Sequence, residues 1–352
     1  MSKEKVSKFQ IWVTVLGFLE LLFVPSVAWV FCHGAVGDDT SENRKLAEMP
    51  EFKLGKISTF PSNFEKFWND HVPFRSIIRR TWSDLNVIGL HDSTSDKVLI
   101  GKNEDGFKNS WLFYSAKSDN NPVEDIQGIK TYNEQTLEKM VDKIKGETEK
   151  YRQKGIQLYY LVAPNKEDVY KEKLPDEIEI YRKKTRTEEL TEYLVEKKIE
   201  NYYFAYEDML DAKDLGQLYY KQDTHWNKLG AFVGFKGLMD MIGEKVTLEK
   251  VEFTEEKKIG GDLLPMLGVS GYFEDKNVSV VSKNEKINKK IMVIGDSYRT
   301  ALKDYLEKTF SKVVMMHRSE YKKGMVEEIK PEILVYEFVE RYAGAIKDFT
   351  TS

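Results

Sequence analysis

A serine hydroxyl is a weak nucleophile until a base accepts its proton, and an imidazole base needs an acceptor that holds its tautomer. Two short stretches of this chain carry the three groups. Ile291-Met292-Val293-Ile294-Gly295-Asp296-Ser297 is an apolar run ending in Gly-Asp-Ser, with helix-forming residues directly behind it. A serine at such a strand-to-helix turn projects its hydroxyl at the edge of a sheet, where the positive end of the helix stabilises an oxyanion. Asp223-Thr224-His225-Trp226-Asn227 sets a carboxylate two residues from an imidazole, so one loop can supply both base and orienting group. Plainer readings stay open on these motifs alone: Asp296 or Ser297 can simply cap the helix, and a lone histidine is commonly structural. His33 and His91 have no comparable neighbours.

Other chemistries fit less well. No His-x-x-x-His or Cys-x-x-Cys pair is present, so no metal is expected. Gly260-Gly261-Asp262 does not follow a strand as a nucleotide-binding fingerprint would, and no cofactor is expected. Lys plus Arg is 54 against 58 Asp plus Glu, a net charge of −4, which offers no general basic surface for nucleic acid. Lysine groups such as Lys286, Lys289 and Lys290 read as solvated ends of elements. The single cysteine, Cys32, cannot close an internal disulfide and lacks the small residues expected before a lipidated cysteine.

These groups need a scaffold. At 352 residues, with 41% hydrophobic and 32% charged side chains, the chain can bury one principal α/β core besides flanking segments. Residues 9–32 are apolar and long enough to cross a hydrocarbon core of about 30 Å as a helix. Lys3, Lys5 and Lys8 precede this stretch and Asp38, Asp39 and Glu42 follow it, which predicts an N-terminus in the cytoplasm and the remainder outside. Pro25-Ser26-Val27-Ala28 admits a cleaved signal peptide instead, but the apolar run continues through Trp29, Val30 and Phe31, which favours a retained anchor. Glu20 near mid-span points to an integral membrane partner. The expected division is therefore a cytoplasmic tail at 1–8, an anchor at 9–32, a linker at 33–59 and an extracytoplasmic catalytic domain at 60–352.

Within that domain, Phe64, Phe67, Trp68, Ile77, Ile78, Trp82 and Leu85 predict a helical pair broken at Pro73, and Val98–Gly101 with Trp111–Tyr114 a hairpin. An alternating rhythm begins at Thr131. Leu137, Met140, Val141 and Ile144 share a helical face that stops at Gly155, and Ile156–Ala163 follows as a buried strand. Helix 187–198 with strand 200–205, a helix at 228–241, strand 290–295, helix 298–310, strand 311–316, helix 321–329 and strand 332–338 continue it. Such alternation predicts a mainly parallel sheet with helices on both faces, and chemistry at the carboxyl ends of its strands.

Asp223-Thr224-His225-Trp226 upstream of Gly295-Asp296-Ser297-Tyr298 resembles the SGNH-hydrolase-like proteins of alginate and exopolysaccharide or cell-wall O-acetylation. Glu42-Asn43-Arg44-Lys45-Leu46-Ala47, Asp70-His71-Val72-Pro73-Phe74-Arg75, Ala163-Pro164-Asn165-Lys166 and Gly261-Asp262-Leu263 extend the resemblance over roughly residues 41 to 342. It implies a flavodoxin-like fold with Ser297 as nucleophile, His225 as base and Asp223 as orienting carboxylate. Because Asp-x-His precedes Gly-Asp-Ser, the order looks circularly permuted relative to ordinary SGNH hydrolases. Trp226, Tyr298, Arg299, Asn165 and Lys166 are expected to meet a polysaccharide substrate; the family glycine and asparagine have no matching motif here, and Asn165 is the candidate for the asparagine. A membrane-bound O-acyltransferase is the implied donor partner. Three functions follow: an O-acetyltransferase acting on sugar hydroxyls, an acetylesterase using the same residues with water, or a non-catalytic polysaccharide-binding protein whose aromatics stack on sugars. All enzymatic readings require Ser297 and His225 to meet in space.

Overall fold

The computed structural model describes residues 8–32, 45–53, 55, 57–71, 75–102, 106, 109–258, 261–269 and 273–348. Most of the expected tail (1–7), part of the expected linker (33–44) and the break expected at Pro73 lie outside them. The chain forms two compact units, residues 1–89 with 268–270, and residues 90–267 with 271–352.

The first unit is helical. Lys8–Cys32 is one helix of 25 residues. Among the described residues no helix is long and apolar enough to cross a membrane, so the expected anchor rests on sequence alone. Phe60–His71 follows, then Arg75–Asp84, which runs into a π-helical turn at Leu85–Gly89. Phe60 stacks on Phe64, and Phe64 on Trp68, because residues four apart share one helical face. Asp70 accepts the backbone N–H of Ala47 at 2.8 Å and ties the incoming chain to this helix.

The second unit holds the expected α/β core. Strands β1 (Val98–Ile100) and β2 (Leu112–Tyr114) form the predicted antiparallel hairpin. β3 (Gln157–Ala163) and β4 (Tyr202–Phe204) come next. β5 (Val246–Lys258) and β6 (Phe273–Asn284) make a long antiparallel hairpin. β7 (Ile287–Gly295), β8 (Phe310–His317) and β9 (Ile333–Val339) complete the set. Five of these strands form one sheet in the order β4-β3-β9-β7-β8, every neighbouring pair parallel. Counted from β7 as first strand, that order is 2-1-3-4-5, the doubly wound flavodoxin-like arrangement. Its switch point lies between β7 and β9, at whose carboxyl ends a ligand crevice is expected.

Alternate residues of each strand feed two cores. Leu161, Val293 and Val335 pack with Phe232, Phe235 and Leu238 of the helix Lys228–Ile242. Leu158, Tyr160, Met292, Leu334 and Tyr336 pack instead with Met140, Val141 and Ile144 of the helix Glu134–Arg152 and with Leu190 and Leu194 of Arg186–Glu196. The helices start where side chains can cap them: Asn133 accepts Thr136 N–H, Thr185 and Glu188 form a capping box, and Asn227 accepts the N–H groups of Leu229 and Gly230.

Three expectations need correction. The helix behind Ser297 is a 3-10 turn over Ser297–Leu302 before α-helix forms at Lys303–Thr309. The helix expected at 321–329 is confined to Met325–Ile329. The β5–β6 hairpin was not expected, because a bulge between Leu248 and Lys250 shifts the inward positions from Val246 and Leu248 to Val251 and Phe253. That shift breaks the period of two by which a one-sided strand is read.

Leu334 is fully buried on the central strand β9. Leu334→Ala leaves a cavity there and is expected to destabilise the protein by about 2–5 kcal/mol, read from the urea midpoint at unchanged slope.

Candidate active site

β7 delivers Ser297 to the carboxyl edge of the sheet. Gly295 is required in that turn, since a Cβ there would lie 2.2 Å from Glu337 Oε2 and 3.0 Å from the Glu337 carbonyl. Glu337, a fully buried acid of β9, accepts the Asp296 N–H at 3.0 Å. Asp296 in turn accepts Tyr298 N–H at 3.1 Å and Val339 N–H at 2.7 Å. Burial, with Asp296 alongside, raises the Glu337 pKa well above the ordinary carboxyl value. Asp296 is thus the cap foreseen as the plain reading, while Ser297 beside it stays exposed.

The base arrives on a loop closed by its own backbone. Tyr219 and Trp226 form an isolated antiparallel bridge, and Asn227 N–H donates to Leu218 O at 2.8 Å. Lys166 lies beneath, fully buried, and donates to the carbonyls of Tyr220, Lys221 and Asp223 at 3.3, 3.1 and 2.7 Å. Trp226 Nε1 donates to Tyr298 O at 3.0 Å, and the Tyr298 hydroxyl donates back to Thr224 O. Gly234 leaves room for the Trp226 ring, which a Cβ there would meet at 2.8 Å.

This interlock brings the three groups together across 72 residues of chain. His225 Nε2 lies 2.7 Å from Ser297 Oγ, and Nδ1 lies 2.6 Å from Asp223 Oδ1. Asp223 Oδ1 also accepts the His225 N–H at 2.9 Å. Burial opposes charge on the imidazole, but the hydrogen bond and charge of Asp223, joined by Asp262, outweigh it and raise the His225 pKa above 6.5. Burial pushes Asp223 up, yet its bonds to His225 and the charges of His225 and Lys166 bring it down to about 2. With Nδ1–H given to Asp223, Nε2 is free to accept the serine proton, an arrangement capable of acyl transfer.

Asp262, to which no role was assigned, joins the same cluster. Its Oδ2 is 3.8 Å from His225 Nδ1, and it accepts both the N–H and the hydroxyl of Thr224. The donors of Asp223, His225 and Asp262 converge within 4.8 Å. Within this set Asp223 Oδ1 and Nδ1 share a hydrogen bond.

Beside Ser297 opens a cavity of about 770 Å³ whose rim includes Tyr220, Lys228, Ser279, Lys303, Asp304 and Lys308. Trp226 and Tyr298 floor it but expose only 1% each, so neither ring is free to stack on a sugar. The remaining residues expected to meet substrate also act as supports. Asn165 is buried, gives its N–H to Glu340 and accepts from Arg341 N–H. Lys166 has no route to solvent, and half-buried Arg299 bonds the Asp296 carbonyl. Ser279 and the lysines went unnoticed because exposed polar residues carry no pattern, and β6 itself was missed.

A family model described as the SGNH hydrolase-like domain of the acetyltransferase AlgX matches residues 106–329, a stretch that holds Asp223, His225, Asp262 and Ser297. The chain belongs to this AlgX-type family. Among solved structures it is similar to Bacillus cereus PatB1, with 14% identity over 72% of this chain and 100% of that one and a TM-score of 0.50. The O-acetyltransferase domain of Pseudomonas putida AlgJ matches with 19% identity over 71% of this chain and 98% of that one, at a TM-score of 0.49. A DHHW family protein from Eubacterium siraeum follows at 12% identity, 74% and 97% coverage and a TM-score of 0.47. No curated protein matches the chain. At 14% identity the likeness to PatB1 shows a shared fold.

The Asp223–His225 pair makes stability depend on pH from both sides. His225, raised above its unfolded value near 6.5, contributes stability that is full below 6.5 and lost as pH rises through the raised value. Asp223, lowered from 3.8 to about 2, contributes stability that is full above 3.8 and lost as pH falls through about 2. The stability difference between wild type and Asp223→Asn in urea is therefore expected to peak near pH 5 and to shrink at pH 2.5 and pH 8.5.

Proposed function

We propose that this AlgX-type protein transfers acetyl groups to hydroxyls of an extracellular or cell-wall polysaccharide, with Ser297 as nucleophile, His225 as general base and Asp223 as its orienting carboxylate. The observation that carries the reading is the continuous relay of 2.7 Å from Ser297 Oγ to His225 Nε2 and 2.6 Å from Nδ1 to Asp223. Family membership in SGNH hydrolase-like acetyltransferases supports the reaction class.

In the first half-reaction Ser297 Oγ attacks the acetyl carbonyl carbon while its proton passes to Nε2. Collapse of the tetrahedral oxyanion breaks the bond to the donor's leaving oxygen, which takes the proton from Nε2 and departs. The acetyl-serine is then attacked by a sugar hydroxyl that gives its proton to Nε2. Ser297 Oγ leaves and recovers that proton, so base and nucleophile return unchanged. The imidazolium formed twice per cycle is held by Asp223. The cavity beside exposed Ser297 offers the acceptor a place to lie.

The same reading includes the retained anchor, with an extracytoplasmic catalytic domain and a membrane-bound O-acyltransferase as acetyl donor. It rests on the apolar run of residues 9–32 and on the lysines before it and the acids after it. A full-length chain that partitions into washed membranes and stays there in alkaline carbonate supports the anchor, and release by that wash rules it out.

Incubating the protein with a chromogenic acetyl ester and an oligosaccharide acceptor is expected to yield acetylated sugar and a mass increase of one acetyl on Ser297. Ser297→Ala is expected to lose both, with at least a 10³-fold fall in rate. Acetate release without sugar acetylation identifies an esterase, and wild-type inactivity equal to that of Ser297→Ala overturns the enzymatic reading. Because His225 must be neutral to accept a proton, activity is expected to rise with pH through a midpoint above 6.5.

A further inference from the structure

Three oxygens surround Nδ1 of His225: Asp223 Oδ1 at 2.6 Å, Thr224 Oγ1 at 3.4 Å and Asp262 Oδ2 at 3.8 Å. A threonine hydroxyl has one proton to give. That of Thr224 goes to Asp262 Oδ2 at 2.5 Å, so toward the imidazole Thr224 presents only lone pairs. An unprotonated Nδ1 would then face acceptors alone, whereas a protonated one satisfies the nearest, Asp223. Nε2 is left as the acceptor for the Ser297 hydroxyl.

We propose that Asp262 is a second carboxylate of the base: a positioning residue that holds the Thr224 hydroxyl away from the imidazole, keeps the proton of His225 on Nδ1, and shares the charge of the imidazolium. The inference rests on the assignment of His225 as base given above.

The chain is built to hold Asp262 there. Gly261 admits no side chain, as a Cβ would come within 2.0 Å of Gln222 O and 2.8 Å of Asp223 Cβ. Asp262 Oδ1 accepts Thr224 N–H at 2.8 Å, and Asp262 N–H donates to Asp223 Oδ2 at 3.3 Å, so both acids and Thr224 are tied to one another. Behind Asp262, Leu263 and Leu264 are buried and fasten this end of the connection between β5 and β6. The charged and titratable groups facing the imidazole are Asp223 and Asp262, which favour its cation, Arg341, which opposes it, and the Tyr298 ring at 4.9 Å. Lys166 touches the carbonyl of Asp223 rather than the ring. Removing the charge of Asp262 therefore leaves Asp223 alone against burial and Arg341.

A purely structural Asp262 would tie down Thr224 and nothing more, and an asparagine could still accept the Thr224 N–H through its carbonyl oxygen and give its NH2 to the Thr224 oxygen. The test uses the full chain carrying Asp262→Asn, alone or together with Thr224→Val, with the His225 ring followed by NMR through a pH titration and p-nitrophenyl acetate hydrolysis as the rate. Asp262→Asn is expected to lower the His225 titration midpoint and to cost about tenfold in kcat/KM, part of the roughly 10²–10⁴ that a positioned base contributes. Asp262→Asn also frees the Thr224 hydroxyl to donate to Nδ1 and is expected to mix the two neutral tautomers in the ring nitrogen shifts, whereas adding Thr224→Val, which has no proton to give, is expected to return the proton to Nδ1. An unchanged midpoint in Asp262→Asn overturns the charge-sharing role, and an unchanged tautomer in Asp262→Asn overturns the tautomer role. Should Asp262→Asn fail to fold, Asp262→Ser is read in the same two ways. Should wild type lack esterase activity, the titration still judges Asp262, and the failure belongs to the proposed function instead.

Discussion

Two hydrogen bonds cross between the nucleophile turn and the base loop, and the geometry of the site hangs on them. Trp226 gives its indole N–H to the carbonyl of Tyr298, and Tyr298 gives its hydroxyl to the carbonyl of Thr224. Each residue neighbours a reacting group in sequence, so a shift of either loop against the other breaks both bonds at once. Both rings are buried, where an unmet polar group costs far more than in water. The 2.7 Å contact between Ser297 and His225 is a consequence of this clamp as much as of the two residues themselves.

A sheet whose strands all point one way gathers its carboxyl ends into one crevice, and here buried acids lie beneath those ends. Glu337 receives Asp296 N–H, Glu340 receives Asn165 N–H and the Thr185 hydroxyl, and Glu167 receives Tyr114 N–H. Burial raises the pKa of all three acids, and the backbone bonds they accept work the other way. An apolar residue of similar size could not satisfy the backbone donors that turn back over the strand ends. These acids are therefore the means by which loops are fixed at the edge of an otherwise apolar sheet.

The long β5–β6 hairpin serves the site in two ways. Its strand β6 supplies Ser279 and Val280 to the cavity wall, and the connection at its far end carries Gly261 and Asp262 to the base loop. A segment that reads as a charged, weakly patterned insertion thus contributes to both the acceptor side and the base.

What local chemistry settles on its own is considerable. The apolar runs that became β3, β7 and β9, the amphipathic helix at Glu134–Arg152, and the Asp-x-His and Gly-Asp-Ser pieces were all legible, since burial on both faces and helical period leave strong marks in a linear string. Their alternation implied a parallel sheet with helices on both faces, and the family resemblance implied its permuted order. Closure of the chain decided the rest. Trp226, Tyr298, Asn165 and Lys166 became supports because their hydrogen-bond partners lie tens of residues away, and no periodicity encodes such distances. Glu337 and Asp262 gained their places only when parallel pairing set β9 beside β7 and a bulged hairpin returned its far end to Thr224. Contacts between residues remote in sequence are a property of packing, and packing exists only in the folded chain.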